Sequence, residues 1–502
     1  MAVVDSFLLG WLQLVPVIGA VALLFVRHNR LAWLIALGCA GVELALALWL
    51  NHLFDPQQSG WQWYRRLPVT DWLVQVSGAD GITVFFVLLT AFLSLLVVLY
   101  GGLVRHFTRL PRFFSVVLGC EAALMGQFAA LDLMWFTLMA GLHTLFIGYL
   151  FSTWSLSTDE RSAIHRYYQF MGTSLLLLLA AAVMLGWNHA ESAKGAWSFE
   201  LTLLLQDERS SYLQGVIFYL LFYGLAIRVP LFPFHGWLPQ VMEHGTVASA
   251  MVLLLGLKTG IYGMLRFLIP LFPDAVWSWR EYVIVIAALG IFYSALLALV
   301  QTNLRKLLAY AVVSHTGLLV IGLFSLHPHA FQGSIMLTGS FGLAISTLML
   351  MAGIVHQRIH GVSLERLGGL FTPLPLVGVA FLVAALSVVG MPGTPGFDAV
   401  HLLLEAAIDR FGALVTVLAA LGNVAAASCL LWAFQRAFLA TPSPSLPPVA
   451  SLPRATWAEK GLAAVLVMVQ LASGFNADPW LDLVKNASQT LAAPYLERGE
   501  RP

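Results

Sequence analysis

The chain has 502 residues, of which 59% are hydrophobic and only 10% charged, and its formal net charge is +1. A soluble protein needs about 25% charged residues to cover its surface, so a mean hydropathy of +0.84 makes lipid the main solvent of this chain. The balanced charge leaves no basic field for nucleic acid, and that class of function is excluded.

Apolar windows of about 20 residues, enough to cross roughly 30 Å of hydrocarbon, recur from end to end. They predict an all-α polytopic membrane protein of about fourteen transmembrane helices, near 6–26, 31–51, 81–103, 112–130, 131–152, 168–188, 212–243, 245–270, 281–302, 306–326, 331–356, 374–408, 411–439 and 457–474. The first window runs into Arg27, His28 and Arg30 without a small-residue cleavage site, so it reads as a span and not as a removed signal peptide. Between the second and third windows, Asp55–Asp80 carries Trp61, Trp63 and Trp72 and suits an outer loop with interfacial aromatics. Ala440–Pro453 is a Pro/Ser-rich linker, and the tail from Asn476 suits a short amphipathic helix on the membrane surface.

Basic residues set the orientation. Arg27, Arg30, Arg105, Arg109, Arg112, Arg161, Arg166, Arg305, Lys306, Arg358, Arg366, Arg436, Arg454 and Lys460 fall after odd-numbered spans. The loops after even-numbered ones hold Arg65, Arg66, Lys194, Arg209, Arg280 and Arg410. The positive-inside rule then places the odd loops in the cytoplasm and both termini on the outer face of a cell inner (plasma) membrane.

The seventh and twelfth windows are too long for one straight span, and each holds a Pro-x-x-Pro: Pro230 to Pro233, and Pro392 to Pro395. Proline removes a backbone donor and breaks a helix, and the freed groups must face protein or a water-filled cavity. Two matched broken helices point to two inverted five-helix repeats. The expected organisation is residues 1–110 as three N-terminal helices, 111–270 and 271–440 as the repeats, and 441–502 as linker, last helix and tail.

A charge at mid-bilayer costs about 2.5–3.5 kcal/mol even on the lenient insertion scale, yet many titratable residues lie inside the windows. Glu43, Arg266 and His356 sit where snorkelling to the headgroups is the simpler reading. Arg228, His235, Glu243, His244 and Lys258 cluster around the first break. A lysine held away from water can take and release a proton, histidines can relay it, and an arginine is a fixed positive charge that biases both. In the fifth span Asp132 and His143 are about three turns apart on one face and form a second possible wire. His315 lies in the tenth span. After the second break, Asp398, His401 and Glu405 line one stripe, which should face a second cavity or a partner subunit.

Cys39, Cys120 and Cys429 are far apart in apolar stretches and read as packing residues. No metal-ligand spacing, nucleotide-binding glycine loop or nucleophile arrangement is present, so neither a cofactor nor a catalytic site of the chain's own is expected.

Four segments carry a family resemblance: Arg228-Val229-Pro230-Leu231-Phe232-Pro233-Phe234-His235-Gly236-Trp237-Leu238-Pro239, Lys258-Thr259-Gly260-Ile261-Tyr262-Gly263, Arg305-Lys306 with Ser314-His315-Thr316-Gly317, and Gly390-Met391-Pro392-Gly393-Thr394-Pro395-Gly396-Phe397. Over roughly residues 110–440 the chain resembles the antiporter-like proton-channel subunits of respiratory complex I and the related Mrp antiporters. In size it is similar to the M-type subunit, without room for the long lateral helix of the L-type. The resemblance implies that Arg228 replaces the key lysine of the broken seventh helix, with His235 as its relay histidine, Lys258 as the connecting lysine and His315 as the relay histidine of the tenth helix. It also implies three departures: the fifth-helix glutamate falls on Gly141, the eleventh-helix histidine on Phe341 and the terminal twelfth-helix charge on Val400.

With the glutamate–lysine switch pair missing, the resemblance implies first a proton-conducting, energy-coupling subunit of a DAB-type inorganic-carbon (CO2/bicarbonate) pump. Its partner there is a soluble zinc carbonic-anhydrase-like subunit. The alternative is an M-type subunit of an NADH-quinone oxidoreductase or membrane hydrogenase, partnered by complex I-like redox subunits. A stand-alone Na+/H+ antiporter and a non-conducting membrane scaffold are the remaining readings.

Overall fold

The computed structural model describes residues 7–70, 74–103, 109–154, 160–207, 210–359, 361–442, 448 and 451–499. Trp72, Arg105, Arg209 and half of the Pro/Ser-rich linker lie outside the described residues.

In chain order the elements are α1 (Leu8–Leu24), α2 (Asn29–Leu53), β1 (Gln62–Pro68), β2 (Val74–Ala79), α3 (Gly81–Leu103), α4 (Leu110–Phe128), α5 (Leu133–Thr153), α6 (Glu160–Ser192), the short α7 (Leu201–Leu204), α8 (Ser211–Arg228) and α9 (Leu238–His244). There follow α10 (Val247–Gly256), α11 (Lys258–Gly263), a π-helical turn Met264–Leu268, α12 (Ile269–Leu271), α13 (Pro273–Leu299), α14 (Leu304–Phe324), α15 (Pro328–Ile359), α16 (Pro375–Val389), α17 (Gly396–Phe434), α18 (Trp457–Phe475) and α19 (Asp478–Gly499). Among the described residues ten helices are long and apolar enough to cross a membrane, and Leu8–Leu24, Tyr212–Arg228 and Pro375–Val389 are apolar but shorter.

The burial pattern separates an inner layer from an outer one. α14 and α15 are buried almost throughout, so His315, near the middle of α14, cannot reach water by snorkelling. Peripheral helices instead expose apolar side chains, among them Leu14 and Ile18 on α1, Leu289 and Leu296 on α13, and Leu414 and Leu421 on α17. Aliphatic residues facing outward at span depth are stable only against acyl chains or another membrane protein.

Both expected breaks are present. α8 ends at Arg228 and α9 begins at Leu238, and the Trp237 indole donates to the Ile227 carbonyl (3.1 Å), satisfying a group that the prolines leave free. α16 ends on Gly390 in the left-handed conformation (φ 78°), which a side chain would strain, and the chain resumes at Gly396. α17 is two arms folded at Gly412 (φ 74°).

The Asp55–Asp80 stretch is more ordered than an interfacial loop. β1 and β2 pair antiparallel with Arg65 opposite Ser77 and Pro68 opposite Val74. The Leu131 amide donates to Val76 and the Gly78 amide to Ala129, which seats the hairpin on the α4–α5 turn. Tyr64 donates to Glu200 (2.5 Å) and Arg66 pairs with it (3.0 Å).

The C-terminal helix α19 does not lie free on a surface. Val484, Ala492 and Tyr495 are buried, and the Tyr495 hydroxyl donates to the Ile269 carbonyl (2.6 Å). At Gly81 the α19 backbone comes so close that an added Cβ would collide with the Leu483 carbonyl. Gly81→Ala should therefore lift α19 at a cost of about 1–3 kcal/mol. Faster proteolytic release of the C-terminal peptide would report it, and an unchanged cleavage rate would contradict the contact.

Candidate functional site

The first break positions the site. Gly260 on α11 lies against the end of α8, where an added Cβ would be 3.0 Å from the Val229 amide nitrogen and 3.1 Å from the Leu225 carbonyl. Only a residue without a side chain allows that backbone approach, and it sets Arg228 and Lys258 on adjoining helices.

Arg228 is 4% exposed. Its Nη2 donates a long hydrogen bond to the Thr144 hydroxyl (3.4 Å), its Nε has no partner, and no carboxylate among the described residues pairs with it. Gly141, where the resemblance places a glutamate, faces Leu175 of α6 at 3.8 Å. The guanidinium is thus a fixed positive charge in the interior, answered by a hydroxyl dipole where an ion partner is expected.

Lys258 is also 4% exposed, and its ammonium makes no hydrogen bond. It lies over Gly342 of α15, where an added Cβ would meet Cε at 2.5 Å and Nζ at 2.9 Å. The side chain borders a cavity of about 30 Å³ between α10, α11, α14 and α15, lined also by Val229, Thr316, Thr338 and Phe341. That volume has room for one or two water molecules beside the ammonium and the two threonines.

His143 packs against Gly256, two residues before Lys258: an added Cβ there would be 2.9 Å from its Nε2, which has no partner. His315 is 2% exposed with both ring nitrogens unpartnered, and its ring stacks on Phe341 (centroids 3.9 Å, 13°). Phe341 thus stands between His315 and the Lys258 cavity. His235 stacks on Phe232 (5.7 Å) and meets Tyr293 edge-on (5.5 Å), with Nδ1 unpartnered. Arg228, His143, Lys258, His315 and His235 are therefore all buried, in a belt of helices packed around the first break.

The other expected site residues lie elsewhere. Asp132 does not share a wire with His143; it caps α5, accepting from the Trp135 amide (2.7 Å), about 16 Å along the axis from His143. Glu243 is bound to Lys306 (3.0 Å), both half-buried at the end of α9. Asp398 is half-buried, while His401 and Glu405 are exposed at the side of α17. That stripe faces outward, so the expected second cavity is not where it points.

Two residues assigned to snorkelling do not snorkel. Arg266 is buried and grips Asp80 with two hydrogen bonds (2.8 and 2.7 Å), donates to Thr83 (3.1 Å) and Tyr262 (3.1 Å), and lies under Trp61 (4.5 Å). Glu43 is fully buried, and neither of its carboxyl oxygens has a partner. Arg266 is one face of α11 and the π-turn with Lys258 and Tyr262, so the Asp80 clamp fixes the helix that carries Lys258. Sequence reasoning missed Asp80 because it lies in the loop before α3, 186 residues from its partner.

Comparison with known proteins identifies the family. Residues 129–426 match the family described as NADH:quinone oxidoreductase/Mrp antiporter, TM. The chain is 32% identical over 444 residues to the NADH-ubiquinone oxidoreductase chain 4 of Arabidopsis thaliana, covering 86% of each. It is 31% identical over 469 residues to the NADH-quinone oxidoreductase subunit M of Rhodobacter capsulatus, covering 91% of this chain and 89% of that one. A chain of respiratory complex I from Thermus thermophilus with bound NADH superimposes with a TM-score of 0.84 at 25% identity, covering 96% and 99%. The chain belongs to the NADH:quinone oxidoreductase/Mrp antiporter transmembrane family.

Proposed function

We propose that the chain is the M-type proton-translocating membrane subunit of a complex I-like redox assembly in the plasma membrane, with both termini on the outer face. The observation that carries this reading is the belt itself: Arg228, His143, Lys258 and His315 are buried together at a broken helix, and none has an ion partner among the described residues. Structure alone gives no reason to keep so many titratable groups away from water, because each costs several kcal/mol of desolvation. A proton route does give one.

Each residue has a role that follows from its chemistry. Arg228 keeps its charge and sets the field. Lys258 receives a proton beside a small cavity, on the helix that packs against the end of α8 where Arg228 sits, so a charge at either residue is poorly screened. His143 and His315 are neutral relays on either side of it. A partner movement that shifts Arg228 relative to Lys258 would change the proton's energy at Lys258, which is the coupling the missing Gly141 carboxylate would otherwise supply.

The relatives favour the redox alternative over the inorganic-carbon reading, since they are named as oxidoreductase subunits over nearly their whole lengths. Electron transfer then belongs to partner subunits, and the exposed His401–Glu405 stripe suits contact with a membrane partner. Sidedness is supported by Arg305, Lys306 and Arg358 at the end of the bundle opposite the β-hairpin and α19. Affinity purification from native membranes should recover iron–sulfur and flavin subunits. Recovery of a zinc carbonic-anhydrase-like protein in their place would overturn the redox assignment.

A further inference from the structure

A second titratable site lies outside the belt, among α2, α3 and α4. Glu43 near the middle of α2 is 0% exposed and Glu121 near the middle of α4 is 1% exposed. All four carboxyl oxygens lack a hydrogen-bond partner, and no salt bridge among the described residues reaches either group. The two carboxyls lie within each other's electrostatic reach, and Cys39 lies within that of both. Ser94 of α3 is fully buried, and its hydroxyl lies beside Glu121. The other titratable group facing the pair is the Cys120 thiol on α4. Gln127 and Gln13 lie further toward the hairpin end, and no lysine, arginine or histidine among the described residues acts on either carboxyl.

Cys39 and Leu118, one turn from Glu43 and Glu121, meet at Gly19, where an added Cβ would touch both, and two interacting carboxyls in low dielectric favour sharing one proton over both ionising. A neutral pair could simply be packed as amide-like polar groups, but then its donors and acceptors would be paired, and here they are not. The open valences therefore point to an exchangeable occupant.

We infer that Glu43 and Glu121, with the Ser94 hydroxyl, form a proton-binding site at mid-membrane that keeps at least one proton on the pair through the neutral pH range. The site is separate from the Lys258 route and does not depend on it. It adjoins that route on one side: Cys120 is in electrostatic contact with Tyr167, and Tyr167 bears on both Thr144 and Arg228. A proton held here is thus separated from the fixed guanidinium by Cys120 and Tyr167. The same oxygens could hold a sodium ion, and the test separates the two.

Dicyclohexylcarbodiimide, which reacts with protonated carboxyls in lipid, would be applied to vesicles bearing the full assembly, followed by mass spectrometry of the α2 and α4 peptides. Labelling of Glu43 or Glu121 is expected at pH 7, falling at least severalfold by pH 10 and unchanged by sodium at constant pH. Infrared spectroscopy gives a second reading: a protonated carboxyl C=O band in the wild type that weakens in both Glu43→Gln and Glu121→Gln. Sodium protection of the label would overturn the proton assignment in favour of a cation site. Absence of both the label and the band in wild-type vesicles would overturn the site itself. Because neither measurement reads flux, failure of the Lys258 route leaves this test standing.

Discussion

Lys258→Met should abolish proton translocation through this subunit while leaving the fold intact. Methionine keeps the length of the aliphatic stem and fits the same wall, so the cavity around Gly342 keeps its shape. What disappears is the one group there that can carry the proton. Loss of a positioned acid–base group costs about 10²–10⁴-fold. Flux in sealed vesicles should drop by at least the lower end of that range, with assembly unchanged on native gels. Lys258→Arg should not rescue, since an arginine does not release its proton. Full flux in the methionine variant would mean that protons do not pass Lys258.

Asp80→Asn should be the most destabilising single change outside the site. Asparagine leaves the Arg266 guanidinium buried without its counter-charge, and breaking a buried pair in that way costs about 3–5 kcal/mol. Removing both partners, as Asp80→Asn with Arg266→Met, should recover much of the loss. Thermal unfolding of the purified complex measures both, and equal stability of wild type and Asp80→Asn would contradict the clamp. Burial alone would raise the Asp80 carboxyl, but the Arg266 charge and its hydrogen bonds outweigh burial and hold it below its ordinary value. The clamp's contribution is therefore fully present above the ordinary carboxylate range and is lost only as the pH falls through the lowered value. Stability should not vary on its account between about pH 5 and 8.

Hydropathy made the spans legible, and Pro-x-x-Pro made both breaks legible, because length in lipid and loss of a backbone donor are local properties. Arg228, Lys258 and His315 were legible for a related reason: a charge in the middle of an apolar run is conspicuous wherever it points. Direction was harder to read. Asp132 and His143 share a helical face, but one caps the helix and the other packs against Gly256. The Asp398, His401 and Glu405 stripe could have faced a cavity or a partner, and periodicity is the same for both. Arg266 and Glu43 were misread because their burial is decided by helices distant in sequence. Phe341 shows the limit most clearly, since substitution by a ring that stacks on His315 can be seen only once α14 and α15 are packed.

The most direct measurement of the whole account is a density map of the assembled complex in lipid, sharp enough to show ordered water. The account predicts water at the Lys258 ammonium, bridging the Thr316 and Thr338 hydroxyls and continuing past Phe341 toward His315. A cavity closed by dry apolar packing, or filled by an acyl chain, with those side chains still unpartnered would contradict it.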